Sequence, residues 1–157
     1  MLRVEELTKD SFKNYGKLLS EPKVTADAES EVFRFSADID TFEIAGKTTV
    51  GVLEGKKREF TLSCLERHTE TPEILFAIKG DSVLCVGDPR SNGDNVDGIR
   101  AFFMKQGDTV IMNKGTWHWV PFPVNVDVSL TQVIFKAETG ANDMEMVVFP
   151  NAIEICF

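Results

Sequence analysis

The chain has 157 residues, 43% of them hydrophobic and 27% charged, the composition of an ordinary folded protein of one-domain size rather than of a disordered or low-complexity chain. Its formal net charge of -8, with 17 Lys and Arg scattered and no basic block, repels phosphate backbones and excludes nucleic acid as a natural partner. No apolar run reaches the roughly 18 residues of a membrane span, and Arg3, Glu5, Glu6 and Lys9 put charge where a signal peptide is apolar, so the chain reads as cytoplasmic.

In chain order, "LTKDSFKNYGKLL" predicts a helix over 8–19, with Thr8 as its cap and Leu7 and Phe12 as a hydrophobic staple. Phe12, Tyr15 and Leu19 recur at helical spacing. Residues 20–30 are polar, contain Pro22 and read as a connection. From Val32 the period becomes two, in short runs: "VFRFS", "TFEIA", "TTVGVL", "REFTLSCLERH", "EILFAIK", "SVLCV", "IRAFFM", "TVIMN", "VNVDVSLTQVIFK" and "MEMVVF". Turn formers punctuate them at "AGK", "EGKK", "KGD", "KQGD" and "NKGT". The stretch "GDPRSNGDNVDG" lacks the acidic ladder and closing Glu of a calcium loop and reads as a long hairpin connection. Short strands after one helix predict an all-β protein of the jelly-roll or cupin kind. The expected organisation is a single domain over 1–157 with its barrel at about 32–149. Cys64, Cys85 and Cys156 are odd in number and show no CxxC spacing, so they read as buried thiols.

The informative stretch is "FTLSCLERH". Alternation places Phe60, Leu62, Cys64, Glu66 and His68 on one face, which begins apolar and should point into the barrel. A carboxylate and an imidazole at the inner end of that face must be paired or bound to a cation, because burying either alone costs several kcal/mol. Glu66-x-His68, Glu73 and Gly80 resemble the first motif of metal-binding cupins, with Glu66 in place of a His. Gly107, Asn113-x-Gly115 and His118 resemble the second, with Asn113 in place of Pro. Both histidines of the chain therefore fall on cupin ligand positions. Imidazole plus carboxylate suits a borderline divalent cation such as Zn, Ni, Mn or Fe, with positions left for substrate. A second reading stays open: His68 and Glu66, or His68 and Glu73, form a buried hydrogen-bonded pair without metal. If a cation binds, its hold should weaken as pH falls through the ordinary histidine range, near 6.5.

Nearly the whole chain resembles the ureidoglycolate lyase family. The likeness rests on "LTKDSFKNYGKLL", "LERHTETPEILFAIKGD", "AFFMKQGDTVIMNKGTWHWVPFPV" and the closing "EICF". Glu66, Arg67, His68, Gly115, Trp117 and His118 match the most specific parts. The resemblance implies a homodimeric cupin that splits ureidoglycolate into glyoxylate and urea, within allantoin degradation. With the site's composition it makes His68, His118, Glu66 and Glu73 the metal-ligand candidates, and Glu73, with Glu66 close behind, the candidate base.

Four further residues are substrate-binding candidates. Arg67 faces outward by strict alternation, where a surface ion pair is expected; a bulge would turn its planar fork inward toward a substrate carboxylate. Lys79 shares parity with Glu73, and is either a second anchor or a solvated strand end. Gln132 is in phase with Val126, Val128, Leu130 and Ile134 and could donate a hydrogen bond into the cavity. Trp117 beside His118 serves either packing or substrate stacking. The rival functions are a metal-dependent cupin acting on another small polar acid or sugar, and a non-catalytic small-molecule-binding cupin.

Overall fold

The computed structural model describes residues 1–19 and 24–157, and strands supply nearly all of its regular structure. In chain order these are β1 (Leu2–Glu6), α1 (Lys9–Phe12), β2 (Gly16–Leu19), β3 (Ala28–Glu29), β4 (Arg34–Phe35), β5 (Thr48–Lys56), β6 (Thr61–His68) and β7 (Glu73–Lys79). There follow β8 (Ser82–Gly87), β9 (Ile99–Met104), β10 (Thr109–Met112), β11 (Trp117–His118), β12 (Phe122–Pro123), β13 (Val128–Lys136), α2 (Thr139–Asn142) and β14 (Met144–Cys156). One sheet runs β11-β6-β14-β1-β9-β8-β12, with β11 pairing β8 as well as β6; the other runs β2-β10-β7-β13-β5. Leu75, Ala77, Val110 and Val133 of the five-stranded sheet meet Leu84, Val86, Phe102 and Met104 of the seven-stranded one in a common core. Dry packing of this kind keeps the two sheets in fixed register.

The predicted helix is mostly absent. The Thr8 cap is real, since Thr8 Oγ1 accepts from Ser11 N at 3.0 Å and Ser11 Oγ accepts from Thr8 N at 3.0 Å. The helix ends at Phe12 because Gly16–Leu19 pairs antiparallel with β10 instead. A Cβ on Gly16 would sit 2.0 Å from the Ile111 carbonyl oxygen, so this glycine permits a strand contact that no other residue allows. Phe12 and Tyr15 are nevertheless buried, while in β2 it is Leu18 rather than the expected Leu19 that is buried, and Phe12 meets Phe102 edge-to-face at 5.6 Å.

The barrel limits also differ from 32–149. β1, which the pattern does not announce, lies parallel to β9 and β14, and β14 continues to Cys156. "VFRFS" contributes only β4, which pairs with β3 apart from the two large sheets, and "TFEIA" has no strand. Part of the predicted 20–30 connection, residues 20–23, lies outside the described residues. Cys64 and Cys85 are buried free thiols and Cys156 is free and half-buried. No described helix is long and apolar enough to cross a membrane.

Candidate functional site

The two motifs meet at one end of the space between the sheets. Glu66 and His68 share a face at the end of β6, Glu73 opens β7, and His118 in β11 is registered directly opposite Glu66. The turn before β11 needs Gly115, whose φ of +77° is left-handed; its N–H donates to the His68 carbonyl at 2.7 Å. That bond ties the second motif to the end of the first. Tyr15, just before β2, braces the same turn, its carbonyl accepting from Asn113 N at 2.9 Å and Thr116 Oγ1 at 2.8 Å.

Glu66, His68 and His118 each present a ligand atom, all within 4.8 Å of one another. Glu73 Oε2 stands 3.1 Å from His118 Nε2 and 3.8 Å from His68 Nε2, and Glu66 Oε1 stands 4.0 Å from His118 Nε2. All four line a cavity of about 370 Å³ whose remaining wall is largely apolar, with Leu53, Leu75, Val133, Phe135 and Met144. Among the described residues no Lys or Arg lines it.

The tautomers follow from the far side of each ring. His118 Nδ1 lies 2.9 Å from the Thr116 carbonyl and His68 Nδ1 lies 3.3 Å from the Asp143 carbonyl. A carbonyl only accepts, so each Nδ1 carries the hydrogen and each Nε2 lone pair is left facing the carboxylates. Glu73 Oε2 is buried and has no hydrogen-bond partner among the described residues; it faces the His118 Nε2 lone pair at 3.1 Å. Two lone pairs and two carboxylates converging on one space require a proton or a cation there. With a proton alone, burial opposes a charged His118, but Glu73 foremost, then the Thr116 carbonyl and Glu66, push its pKa up to about 9. Burial would raise Glu73, yet His118 and His68 outweigh it and hold the carboxyl below its ordinary value. The donor set and the orphaned carboxylate oxygen equally fit a borderline divalent cation; the metal-free alternative changes partner, since Glu73 stands 3.1 Å from His118 Nε2 but 3.8 Å from the His68 nitrogen expected from the sequence.

Sequence reasoning missed several site residues. Asp143 is buried and its carboxylate accepts from Thr69 N at 2.9 Å, Thr69 Oγ1 at 2.6 Å and Glu70 N at 2.6 Å. It thus pins the turn after His68 while its own carbonyl orients the imidazole, a supporting arrangement typical of ligating histidines. Phe135 stacks on His68 with ring centroids 6.4 Å apart and 6° between planes. Thr139, Gly140 and Met144 add the wall near α2.

The four substrate-binding candidates are not brought to the cavity. Arg67 is on the outer face, opposite Glu145 across the β6–β14 ladder, and no bulge turns it inward. Its Nε and Nη2 reach Glu145 Oε2 at 2.8 and 2.6 Å, and Nη1 donates to the Ser91 carbonyl at 3.1 Å. Its guanidinium also lies 4.5 Å from the Trp117 ring centroid. Trp117 is buried in the cluster on the far face of the seven-stranded sheet and donates to the Ser91 carbonyl at 3.1 Å. A Cβ on Gly93 would come within 2.6 Å of that indole, so Trp117 packs between Arg67 and the 88–98 connection instead of stacking on substrate. Lys79 is the exposed end of β7. Gln132 has the wrong phase, because Thr131, Val133 and Phe135 take the inner face of β13, while Gln132 lies beside Phe76 and Val52 on the outer one. Arg67→Ala is therefore expected to destabilise the protein by about 1–3 kcal/mol, as loss of charge-assisted hydrogen bonds does, with little change in KM. A hundredfold rise in KM would instead place the guanidinium on the substrate.

Residues 1–156 match the family model described as Ureidoglycolate lyase. A curated relative named ureidoglycolate lyase, from Chelativorans sp. (strain BNC1), is 25% identical over 158 residues, covering 96% of this chain and 93% of its own. Among solved structures, a dTDP sugar isomerase from Desulfovibrio desulfuricans G20 aligns over 84% of this chain and 81% of its own, with TM-score 0.55 and 12% identity. That likeness is one of fold, the cupin barrel. An oxalate decarboxylase from Lactobacillus farciminis aligns over 67% of this chain at TM-score 0.45 and 15% identity, and the aligned part is 27% of that longer protein.

Proposed function

Since the chain belongs to the ureidoglycolate lyase family, we propose that it cleaves ureidoglycolate to glyoxylate and urea, as a homodimeric cupin of one domain over 1–157, at the cavity holding Glu66, His68, Glu73 and His118. The observation that carries the metal-assisted form of this reading is the cavity's charge: among the described residues it offers two carboxylates and no Lys or Arg to an anionic substrate. Without a cation the pocket repels the ligand it is shaped to hold. Glu66, His68 and His118, whose ligand atoms lie within 4.8 Å of each other, would hold that cation. Zn, Ni, Mn and Fe all accept such an imidazole–carboxylate set. When bound, it supplies positive charge to the substrate's carboxylate and lowers the pKa of the neighbouring hydroxyl.

The protein's own groups then divide the work. Glu73, kept ionised by the two histidines, accepts the hydroxyl proton. The oxygen's electron pair closes the carbonyl of glyoxylate as the carbon–nitrogen bond breaks. The bonding pair leaves on the ureido nitrogen, which takes a proton from the new Glu73 carboxylic acid or from water, releasing urea. Phe135 stacked on His68 and the Asp143 carbonyl at His68 Nδ1 keep the imidazole from turning during this exchange. The test is urea and glyoxylate release from ureidoglycolate by purified protein, with and without added divalent metal. Release well above the spontaneous rate is expected; none would transfer the site to another small polar acid.

A further inference from the structure

We propose that Thr139 is a substrate-binding and specificity-determining residue, whose hydroxyl engages the ureido end of the substrate across the cavity from the carboxylate–histidine cluster; this rests on the lyase reading above. Thr139 forms part of the cavity wall, is only 2% exposed, and its Oγ1 is screened from water with no hydrogen-bond partner among the described residues. Its main chain, by contrast, is held: the Thr139 carbonyl accepts from Asp143 N at 2.8 Å, and Asp143 is itself locked to Thr69 and Glu70. The hydroxyl thus stands idle on a fixed support at the edge of the candidate site.

A buried hydroxyl without a partner lowers stability, and a valine of the same shape would remove that cost. A threonine there is explained if its hydroxyl is satisfied by a ligand. Among the described residues the cavity's other polar side chains, apart from the Trp119 indole, are Glu66, His68, Glu73 and His118, and on this reading these serve one end of the substrate. The ureido group carries N–H donors and a carbonyl acceptor, and a hydroxyl can serve either, donating and accepting at once. One step between staggered rotamers about Cα–Cβ exchanges the hydroxyl and methyl positions without backbone movement, and contact with the substrate requires that step to turn Oγ1 toward it.

The two roles open to this hydroxyl predict opposite signs in Thr139→Val. A substrate-facing hydroxyl leaves the thermal midpoint of the metal-free variant equal to or above wild type, raises KM for ureidoglycolate about tenfold, and is rescued by Thr139→Ser to within about threefold of wild type. A midpoint below wild type, or an unchanged KM, overturns the proposal. Calorimetric binding of oxalurate, which keeps the carboxylate and ureido groups but cannot react, separates this outcome from failure of the lyase reading. If wild type releases no urea, that reading fails by itself. Oxalurate bound by wild type and at least tenfold more weakly by Thr139→Val then still supports the contact, whereas equal binding, or none to either protein, overturns it.

Discussion

Glu73→Gln is expected to cut urea release by about 10²- to 10⁴-fold, the usual worth of a positioned acid–base group, while the cation stays bound. The groups of the cavity divide into two sets. Glu66, His68 and His118 form a compact ligand triad, and Glu73 sits beside both histidines with an unpaired Oε2. Gln keeps the shape and one oxygen but cannot take a proton, so kcat should fall with little change in KM. Glu66→Gln should weaken the cation's hold more than Glu73→Gln does, since it removes a charge from the triad. Measured metal content together with single-turnover urea release separates the two. A Glu73→Gln protein that turns over normally sinks Glu73 as the base, and one that loses its metal makes Glu73 a ligand instead.

What the sequence makes legible follows from how local each signal is. Glu66, His68, Glu73 and His118 can be read because each motif lies within one strand–turn–strand unit, where spacing translates directly into position. Arg67 can be read to its outer face by alternation alone, and its partner Glu145 is simply the residue across the ladder. Gln132 misleads because β13 carries apolar residues on both faces, so parity does not say which face is inside. The 8–19 helix misleads differently: Phe12 and Tyr15 are buried as expected, but strand alternation buries Leu18 in place of Leu19, because Gly16 packs against the Ile111 carbonyl and the tertiary pairing with β10 overrides helical spacing. β1, "LRVEE", is stabilised by parallel pairing to β9 and β14, contacts so distant in sequence that no local pattern announces them. Asp143 is hidden for a related reason. It orients His68 through a main-chain carbonyl, which every residue type possesses, and it does so from 75 positions away.

His118→Ala should be the most damaging single change to the site, abolishing retention of the cation and destabilising the metal-free protein by about 3 kcal/mol near neutral pH. Removing one partner of a buried ion pair leaves the other's charge uncompensated, which costs about 3–5 kcal/mol. Glu73 would keep only His68, 3.8 Å away. The pH dependence has a definite sign. His118's pKa in the folded protein, about 9 against an ordinary 6.5, makes its stabilisation complete below 6.5 and progressively lost as pH rises through about 9. Glu73 is lowered from 4.5, so its share is present above 4.5 and disappears as pH falls through its depressed value. These are two views of one interaction and count once. The gap in stability between wild type and His118→Ala should therefore be widest between about pH 4.5 and 6.5 and narrow toward pH 10. It should also narrow in strong acid, where Glu73 protonates in both proteins. Cation loading competes with the same proton, so apparent affinity in wild type should keep strengthening with pH up to about 9, above the unperturbed histidine range. Guanidinium denaturation of both metal-free proteins across this pH series provides the check, repeated in wild type with excess divalent metal, which adds about 2.7 kcal/mol at a hundred times Kd. A stability difference that stays flat from pH 5 to 10 would mean that His118 and Glu73 are not charged against each other in solution, and the proton-or-cation logic of the site would fail with them.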